Sequence, residues 1–193
     1  MQHPLRSIIR HFDDWLRRVL GVYNFSDKAD CLLRVQLTRA SHAVEFPDRA
    51  IPAGAPVLML HLWNEHVPPL PPEGADLVWA RRAGRLFVRD LHDVAIHIEN
   101  TPSLSKVQAI GSVTSVFSAS PSSGGAQMMR ELGFMVVPAH QPLSRFGEFW
   151  ENFYSWWLIW AYNPGSLRTH RLADLHRSES WITAEAFMER FGL

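Results

Sequence analysis

The chain has 193 residues, of which 47% are hydrophobic and 11% aromatic, enough apolar material for one domain with a well-buried core. Nineteen basic residues balance nineteen acidic ones, which excludes the positive surface expected of a general nucleic-acid binder. Cys31 is the only cysteine, so an internal disulfide and redox chemistry by a cysteine pair are also excluded.

The first 21 residues have the pattern of an amphipathic helix. Apolar residues recur at helical spacing from Leu5 to Leu20, and Gly21 then ends the helix. The polar positions carry four arginines: Arg6, Arg10, Arg17 and Arg18. Because these charges interrupt the apolar stretch that a cleaved export signal requires, we expect a cytoplasmic protein.

Three strands are predicted in the next part of the chain. Residues 32–38 alternate apolar and polar side chains, residues 42–46 form a short partner, and residues 57–63 form a third strand. A loop follows, marked by a cluster of four prolines: Pro68, Pro69, Pro71 and Pro72.

Helical and extended patterns alternate after this loop. Residues 107–117 predict a strand, residues 123–132 a helix that Gly133 ends, and residues 134–137 a last short strand, with helix in the remainder. Before them lies a helical stripe formed by Phe87, Leu91, Val94, Ala95 and Ile98.

This order of elements predicts an α+β fold, with a mixed, mainly antiparallel sheet packed by helices in a single domain. Residues 1–21 would form the first amphipathic helix, residues 32–138 the α/β core, and residues 144–193 an aromatic-rich helical region. A doubly wound α/β fold is the weaker alternative, because the early strands lie too close in sequence for helical crossovers.

The densest polar cluster directly follows the third predicted strand. His61, Asn64, Glu65 and His66 lie within six residues, and reactive groups often occupy strand ends and the loops after them. On a continuing strand or on a helix, His61 and Glu65 would share a face. We therefore interpret His61 and Glu65 as an acid–base pair, with Asn64 as a second orienting group.

Two other interpretations of this cluster stay open. Histidine and carboxylate are ordinary zinc ligands, and His92 or His97 could add a third, but the short zinc motifs His-Glu-x-x-His and His-x-x-Glu-His are absent, so no metal is assigned. Hydrogen-bonded polar side chains at a strand end, without chemistry, would give the same pattern.

A loop of small residues precedes the helix at residues 123–132. Backbone amides at a helix N-terminus favour an anion, and small residues let a phosphate or carboxylate approach closely. The anion-binding candidates are Ser120, Ser122, Ser123, Gly124 and Gly125. The phosphate-binding P-loop motif is missing, and a simple capping loop is the alternative. No Gly-x-Ser-x-Gly nucleophile elbow occurs, so no serine nucleophile is assigned.

Aromatic rings recur at steps of three and four between residues 146 and 160, which places them on one stripe of a helix. The run is shorter than the roughly 20 residues needed to span a bilayer. The stripe predicts contact with a membrane or a partner, and the alternatives are the protein core or a second copy of the chain. Its contact residues are Phe149, Trp150, Phe153, Trp156, Trp157 and Trp160.

Four segments carry a resemblance to a known family. They are residues 32–39 (LLRVQLTR), 56–64 (PVLMLHLWN), 110–115 (IGSVTS) and 132–134 (LGF). Together they resemble the YkoP-like domain, a small bacterial domain found alone or attached to some polysaccharide deacetylases. The resemblance spans about residues 32–137.

What the resemblance implies is a setting in cell-envelope polysaccharide or lipid-linked glycan metabolism. It brings no established catalytic residues, and the matching positions that could do chemistry are His61, Asn64 and Thr114. No deacetylase metal motif occurs in the chain, so deacetylation itself is not implied.

We therefore expect a membrane-peripheral cytoplasmic protein of envelope lipid or polysaccharide metabolism, at the inner membrane, with a lipid or lipid-linked glycan as partner. It would be a transferase in which His61 acts as general base and the serine-rich loop holds an anionic group in the same pocket. The sequence indicates no particular cofactor. The alternative is a noncatalytic accessory module whose aromatic helix docks on a partner or on a second copy of the chain.

Overall fold

The computed structural model describes residues 15–71, 73–74, 76–114, 124–140 and 178–192. Helix α1 covers residues 15–20 of this part. Four strands and a long helix follow: β1 (Leu33–Arg39), β2 (Val44–Glu45), β3 (Ala50–Ile51), β4 (Pro56–Leu62) and α2 (Leu77–Asn100). The remaining elements are β5 (Ala109–Thr114), α3 (Gly124–Glu131), β6 (Met135–Pro138), β7 (Ser178–Thr183) and α4 (Ala184–Phe191).

Five strands form one mixed sheet in the order β1-β4-β5-β7-β6, and β2 and β3 form a separate hairpin. Within the main sheet, β4 and β5 pair in parallel and the other neighbours pair antiparallel. Helix α2 makes the crossover between the two parallel strands. This arrangement confirms the predicted α+β class with a mixed, mainly antiparallel sheet.

One side of the sheet, which we call the helix face, carries the larger apolar core. Strand residues such as Val35, Leu58 and Ile110 pack there against Leu91 of α2 and Phe187 of α4. All five side chains are fully buried. Burial of side chains of this size contributes about 1.5–3 kcal/mol each, so this face supplies most of the apolar stabilisation.

The opposite side, the hairpin face, carries a smaller core. Val44 and Ile51 of the β2–β3 hairpin pack there against Val57, Ala109 and Trp181 of the main sheet. Because side chains alternate along a strand, the residues next to the helix-face core positions point to this side. The hairpin face therefore also receives polar side chains of three strands, among them Gln36 of β1, His61 of β4 and Glu179 of β7.

A fully buried carboxylate joins α2 to the first strand. Asp90 of α2 accepts a hydrogen bond from the backbone N–H of Leu32, immediately before β1. It also accepts from the guanidinium of Arg89, which bonds Asp30 in turn. A buried charge is tolerated only when it is paired and hydrogen-bonded, and Asp90 meets that condition.

The predicted end of α3 at Gly133 is confirmed. Gly133 has a φ of +88°, a left-handed conformation that glycine adopts without steric cost. Its N–H bonds the carbonyl of Arg130 at 2.9 Å, and the N–H of Phe134 bonds that of Met129 at 2.9 Å. These two bonds form a Schellman motif, which turns the chain directly into β6.

Three elements differ from the sequence prediction. Helix α2 begins at Leu77, ten residues before the predicted stripe, with its first turn capped by Asp76 through the N–H of Trp79. The short strand β3 was not predicted. The prediction that everything after β6 is helical is wrong for Ser178–Thr183, which forms β7 inside the sheet. The fold buries all six residues of β7, on both faces of the strand. Its sequence therefore does not show the alternation of apolar and polar residues that predicts a half-buried strand.

Several predicted regions lie outside the described residues. Among them are residues 1–14 of the first amphipathic helix, residues 115–117 of the strand predicted at 107–117, and the whole aromatic stripe between residues 146 and 160. Within the part of the chain that the structure describes, no helix is both long and apolar enough to cross a membrane.

Trp181 of β7 lies directly over Gly111, its register partner on β5. A Cβ atom at position 111 would overlap the six-membered ring of the indole. The indole is only 4% exposed, so it has no free space into which it can move. The absence of a side chain at Gly111 is therefore what lets Trp181 pack flat against the sheet.

We expect Gly111→Ala to lower the free energy of unfolding by about 1–3 kcal/mol, because the added methyl group overpacks the Trp181 contact. Gly84→Ala is the matched control: nothing lies within 4 Å of a Cβ there, and the residue is inside α2. It should raise stability by about 0.4–1 kcal/mol. Urea denaturation followed by circular dichroism measures both changes, and equal stability of Gly111→Ala and the wild type would contradict the packing argument.

Candidate functional site

His61 projects from β4 onto the hairpin face. Its neighbour Leu60 belongs to the helix-face core, and the alternation along the strand turns His61 to the other side. Strand β1 places Arg34 opposite His61 in the antiparallel register, with Gln36 two residues further along the same face. His61 is half-buried among these polar side chains.

Gln36 holds the His61 ring and selects its tautomer. The Gln36 side-chain nitrogen donates to the backbone carbonyl of Leu20 at 2.6 Å, so its oxygen faces His61, where it lies 3.0 Å from Nε2. A carbonyl oxygen only accepts, which means that His61 Nε2 carries the hydrogen. In the neutral ring, the lone pair then lies on Nδ1, the position from which an imidazole accepts a proton.

Burial lowers the pKa of His61 below its ordinary value of 6.5, and the positive charge of Arg34 lowers it further. Both effects disfavour the charged imidazolium. His61 is therefore neutral near pH 7, with its Nδ1 lone pair free of a proton. That is the protonation state that a general base requires before it reacts.

Glu65 contacts the strand-end tryptophan and Arg34 in this structure. Its Oε2 accepts a hydrogen bond from Trp63 Nε1 at 3.2 Å and lies 3.7 Å from the Arg34 guanidinium. The guanidinium lies 3.9 Å from the centre of the Trp63 ring, a cation–π contact. His61 thus contacts Gln36, and Glu65 contacts Arg34 and Trp63. Gln36 is an orienting group that the sequence analysis did not name, and the orienting role of Glu65 stays a prediction.

The other histidines of the sequence prediction bind backbone groups or a tyrosine. His66 stacks on Trp63 and places Nδ1 2.8 Å from the carbonyl of Cys31, and Asn64 lies half-buried in the turn between them. On α2, His92 contacts the carbonyl of Phe191 and His97 the hydroxyl of Tyr23. Among the described residues, no group of three or more His, Cys, Asp or Glu side chains is placed to hold a metal ion.

A second polar group on the hairpin face is centred on Glu179 of β7. Its carboxylate is 6% exposed and accepts hydrogen bonds from Trp181 Nε1 at 2.9 Å and from the backbone N–H of His140 at 3.1 Å. The Nε2 atom of His42 lies 3.2 Å from Glu179 Oε2. The ring of His42 stacks on that of His140, with the two ring centres 4.2 Å apart.

The register of the sheet places the two polar groups in one row. Met59 of β4 is the register partner of Gly111 of β5. Two residues further along these parallel strands, His61 lies level with Val113, and Val113 is the register partner of Glu179. Neighbouring strands lie about 4.8 Å apart, which separates the backbones at His61 and Glu179 by about 10 Å. Val113 lies between them and is 40% exposed. The hairpin face thus carries the His61 group on one side of the accessible Val113 side chain and the Glu179 group, with His42, on the other.

The predicted anion-binding loop is only partly described. Ser120, Ser122 and Ser123 lie outside the described residues, while Gly124 and Gly125 form the first turn of α3. That helix packs on the helix face through Met129, whereas His61 lies on the hairpin face. The structure therefore does not bring these two glycines to the side that carries His61. Thr114 ends β5, and its side chain is outside the described part.

Sequence reasoning missed Arg34, Gln36, His42, His140 and Glu179. The first two were visible as polar positions of the strand predicted at residues 32–38, and an antiparallel pairing of that strand with the one predicted at residues 57–63 would have brought them to His61. No local signal could have joined His42 to Glu179, because 137 positions separate them and β7 was not predicted as a strand.

Comparison of the chain with models of known protein families, with curated proteins and with solved structures finds no match. The resemblance to the YkoP-like domain therefore stays a prediction. The side chains of the hairpin face are therefore the basis for a proposed function.

The pH dependence of stability tests the environment of His61. Because folding lowers the pKa of His61, the unfolded chain binds more protons once the pH falls below 6.5. The free energy of unfolding should thus decrease as the pH falls from 6.5 through the lower folded pKa. His61→Gln can still donate to Gln36, and it should lose less stability than the wild type over that window.

Urea denaturation at a series of pH values from 7.5 to about 4.5 measures this difference. Burial also lowers the pKa of His97, so His97→Gln should reduce the slope independently. Parallel curves for His61→Gln and the wild type would show that His61 is not held in its neutral form.

Proposed function

We propose that this protein is a transferase of cell-envelope polysaccharide or lipid-linked glycan metabolism, in which His61 removes the proton from a hydroxyl group of the acceptor. The observation that carries the proposal is the hydrogen bond between His61 Nε2 and the Gln36 side-chain oxygen. It holds the ring and directs the Nδ1 lone pair away from the strand partner. The resemblance of residues 32–137 to the YkoP-like domain supports the biological setting.

The electrostatics around His61 support a base that starts neutral. Arg34 and burial both keep the proton off the ring before reaction. The acceptor hydroxyl would give its proton to Nδ1 as its oxygen forms a bond to the transferred group. The bond between that group and the rest of the donor would break, and the leaving part of the donor would keep the electron pair. Arg34 and Glu65 compensate each other's charge and hold the Trp63 segment in place, so they support the geometry without touching the reacting atoms.

The surface next to His61 combines the two kinds of group that bind a sugar ring. Sugars present hydroxyl groups at the ring edge and C–H groups on the ring faces, and this surface combines a polar row with the exposed side chain of Val113. Trp63 is not available for stacking on a sugar, because Arg34 and His66 already lie against its ring. We therefore place the acceptor over Val113, between His61 and the Glu179 group.

Binding at this position should change the His61 ring signals in an NMR spectrum of protein with ¹³C-labelled histidine. We expect titration with N-acetylglucosamine oligomers, as soluble probes of the glycan, to move the His61 signal and leave that of His66 in place. His61→Asn and His66→Asn assign the two signals by their loss. If the oligomers move neither signal, or the His66 signal alone, the acceptor does not bind over Val113.

Turnover separates a catalytic role of His61 from a binding role. In an assay that follows modification of the glycan by mass spectrometry, His61→Asn should bind the oligomers as the wild type does and react at least about 10²-fold more slowly. Binding without turnover in either protein would favour the noncatalytic accessory module.

We also propose peripheral contact with the inner membrane through the aromatic stripe, on the strength of its sequence pattern. The wild type should float with vesicles of phosphatidylethanolamine and phosphatidylglycerol at both low and high salt. Trp156→Ser combined with Trp157→Ser should abolish flotation and keep the circular dichroism spectrum of the wild type.

The matched control for this experiment is Trp15→Ser. Trp15 is 56% exposed on α1, so its loss tests whether the first helix supplies the contact instead. Flotation lost in Trp15→Ser and kept in the double variant would assign membrane contact to α1. No flotation of the wild type would remove membrane contact from the proposal.

A further inference from the structure

His42 connects a serine hydroxyl to a buried carboxylate. Its Nδ1 atom lies 3.1 Å from Ser41 Oγ, and its Nε2 atom lies 3.2 Å from Glu179 Oε2. The two ring nitrogens therefore contact a hydroxyl on one side and a carboxylate on the other. A serine within hydrogen-bond reach of a histidine, which a third group orients, is the arrangement that activates a nucleophile.

The carboxylate of Glu179 is fixed independently of His42. Trp181 and the backbone of His140 both donate to it, and β7 is held between β5 and β6 in the sheet. An ionised carboxylate only accepts hydrogen bonds, so the nitrogen of His42 that faces it carries the hydrogen in the neutral ring. The lone pair is then on Nδ1, directed at the Ser41 hydroxyl.

The His42 ring is also held by its aromatic neighbours. It stacks on His140 with an angle of 13° between the ring planes, and it meets Trp181 edge to face. Its side chain is 13% exposed. A base held by packing on its faces and by a carboxylate at its edge keeps one orientation toward Ser41.

Ser41 combines a fixed backbone with an accessible side chain. The preceding residue, Ala40, is buried, and its N–H and carbonyl bond Ala55 and Gly54, each at 2.8 Å. Ser41 itself is exposed. A reagent can therefore reach Oγ from solvent while the chain position of the serine stays constant.

We propose that Ser41 and His42 form an acyl-transfer centre, with Glu179 as positioning residue, whose substrate is a carboxylic ester. The Ser41 proton passes to His42 Nδ1 as Oγ attacks the carbonyl carbon. The ester C–O bond then breaks, and the leaving alcohol takes the proton from His42. An acceptor hydroxyl or water repeats the attack with the same proton route, which releases the acyl group and restores Ser41.

This centre goes beyond the proposed function and does not depend on it. His61 lies on the other side of Val113, two strands from Glu179, and contributes no atom to the Ser41 reaction. The contacts also admit a purely structural role, in which His42 and Glu179 anchor the β2–β3 hairpin to the sheet. That role changes stability alone and gives Ser41 no reactivity.

Reaction with a fluorophosphonate probe and with p-nitrophenyl acetate distinguishes the two roles. We expect one phosphonate adduct, located at Ser41 by peptide mass spectrometry, and a burst of p-nitrophenol from the ester. Ser41→Ala should lose both. His42→Gln and Glu179→Gln should slow adduct formation by at least about 10²-fold, whereas Glu179→Asp should recover part of the rate.

Ser103→Ala is the matched control, because Ser103 is also exposed and makes no hydrogen bond to a histidine within the described part of the chain. It should react as the wild type does. His61→Asn should also react normally, which keeps the outcome separate from that for the glycan site. No adduct at Ser41 in the wild type would overturn the proposal. So would an adduct that forms at an unchanged rate in folded Glu179→Gln. If His42→Gln fails to fold, two other results still distinguish the two roles. They are the residue that carries the adduct in the wild type, and the loss of that adduct in Ser41→Ala, a substitution at an exposed position.

Discussion

The contact between Trp181 and Gly111 connects the packing of the sheet to the polar group around Glu179 on the hairpin face. Because Gly111 has no side chain, the indole lies flat over β5 and completes the smaller core beneath the β2–β3 hairpin. The same indole donates its N–H to Glu179, which in turn faces His42. Because glycine occupies position 111, the Trp181 ring has a fixed position. That ring in turn helps to position the buried Glu179 carboxylate and the His42 imidazole next to it.

The two faces of the sheet have different roles: the helix face carries the larger apolar core, and the hairpin face carries the polar groups of the candidate site. The helix face is apolar apart from groups such as Asp90, whose carboxylate binds the chain just before β1. This bond fixes where β1 begins, and a shift of one residue in β1 would move Arg34 and Gln36 to the other face. The hydrogen bond between Leu32 and the buried Asp90 on the helix side thus helps to determine which side chains meet His61 on the hairpin side.

Local patterns predicted the elements whose residues alternate or repeat along the chain. The strands β1 and β4, the end of α3 at Gly133 and the α+β class followed from such patterns. Strand β7 did not, because Ser178, Glu179 and Ser180 are polar residues that tertiary packing buries. His61 was found from its place at a strand end, but its partner Gln36 depends on strand pairing that no local pattern contains.

The two histidines of the row have opposite electrostatic surroundings, which assign them different chemistry. His61 is lowered in pKa by burial and by the positive charge of Arg34, which both disfavour an imidazolium, so a proton that it accepts would leave readily. His42 faces a carboxylate, which stabilises the imidazolium that forms while the Ser41 oxygen attacks. These different environments suit His61 to remove the proton of an acceptor hydroxyl, and suit His42 to pass the Ser41 proton to the leaving alcohol.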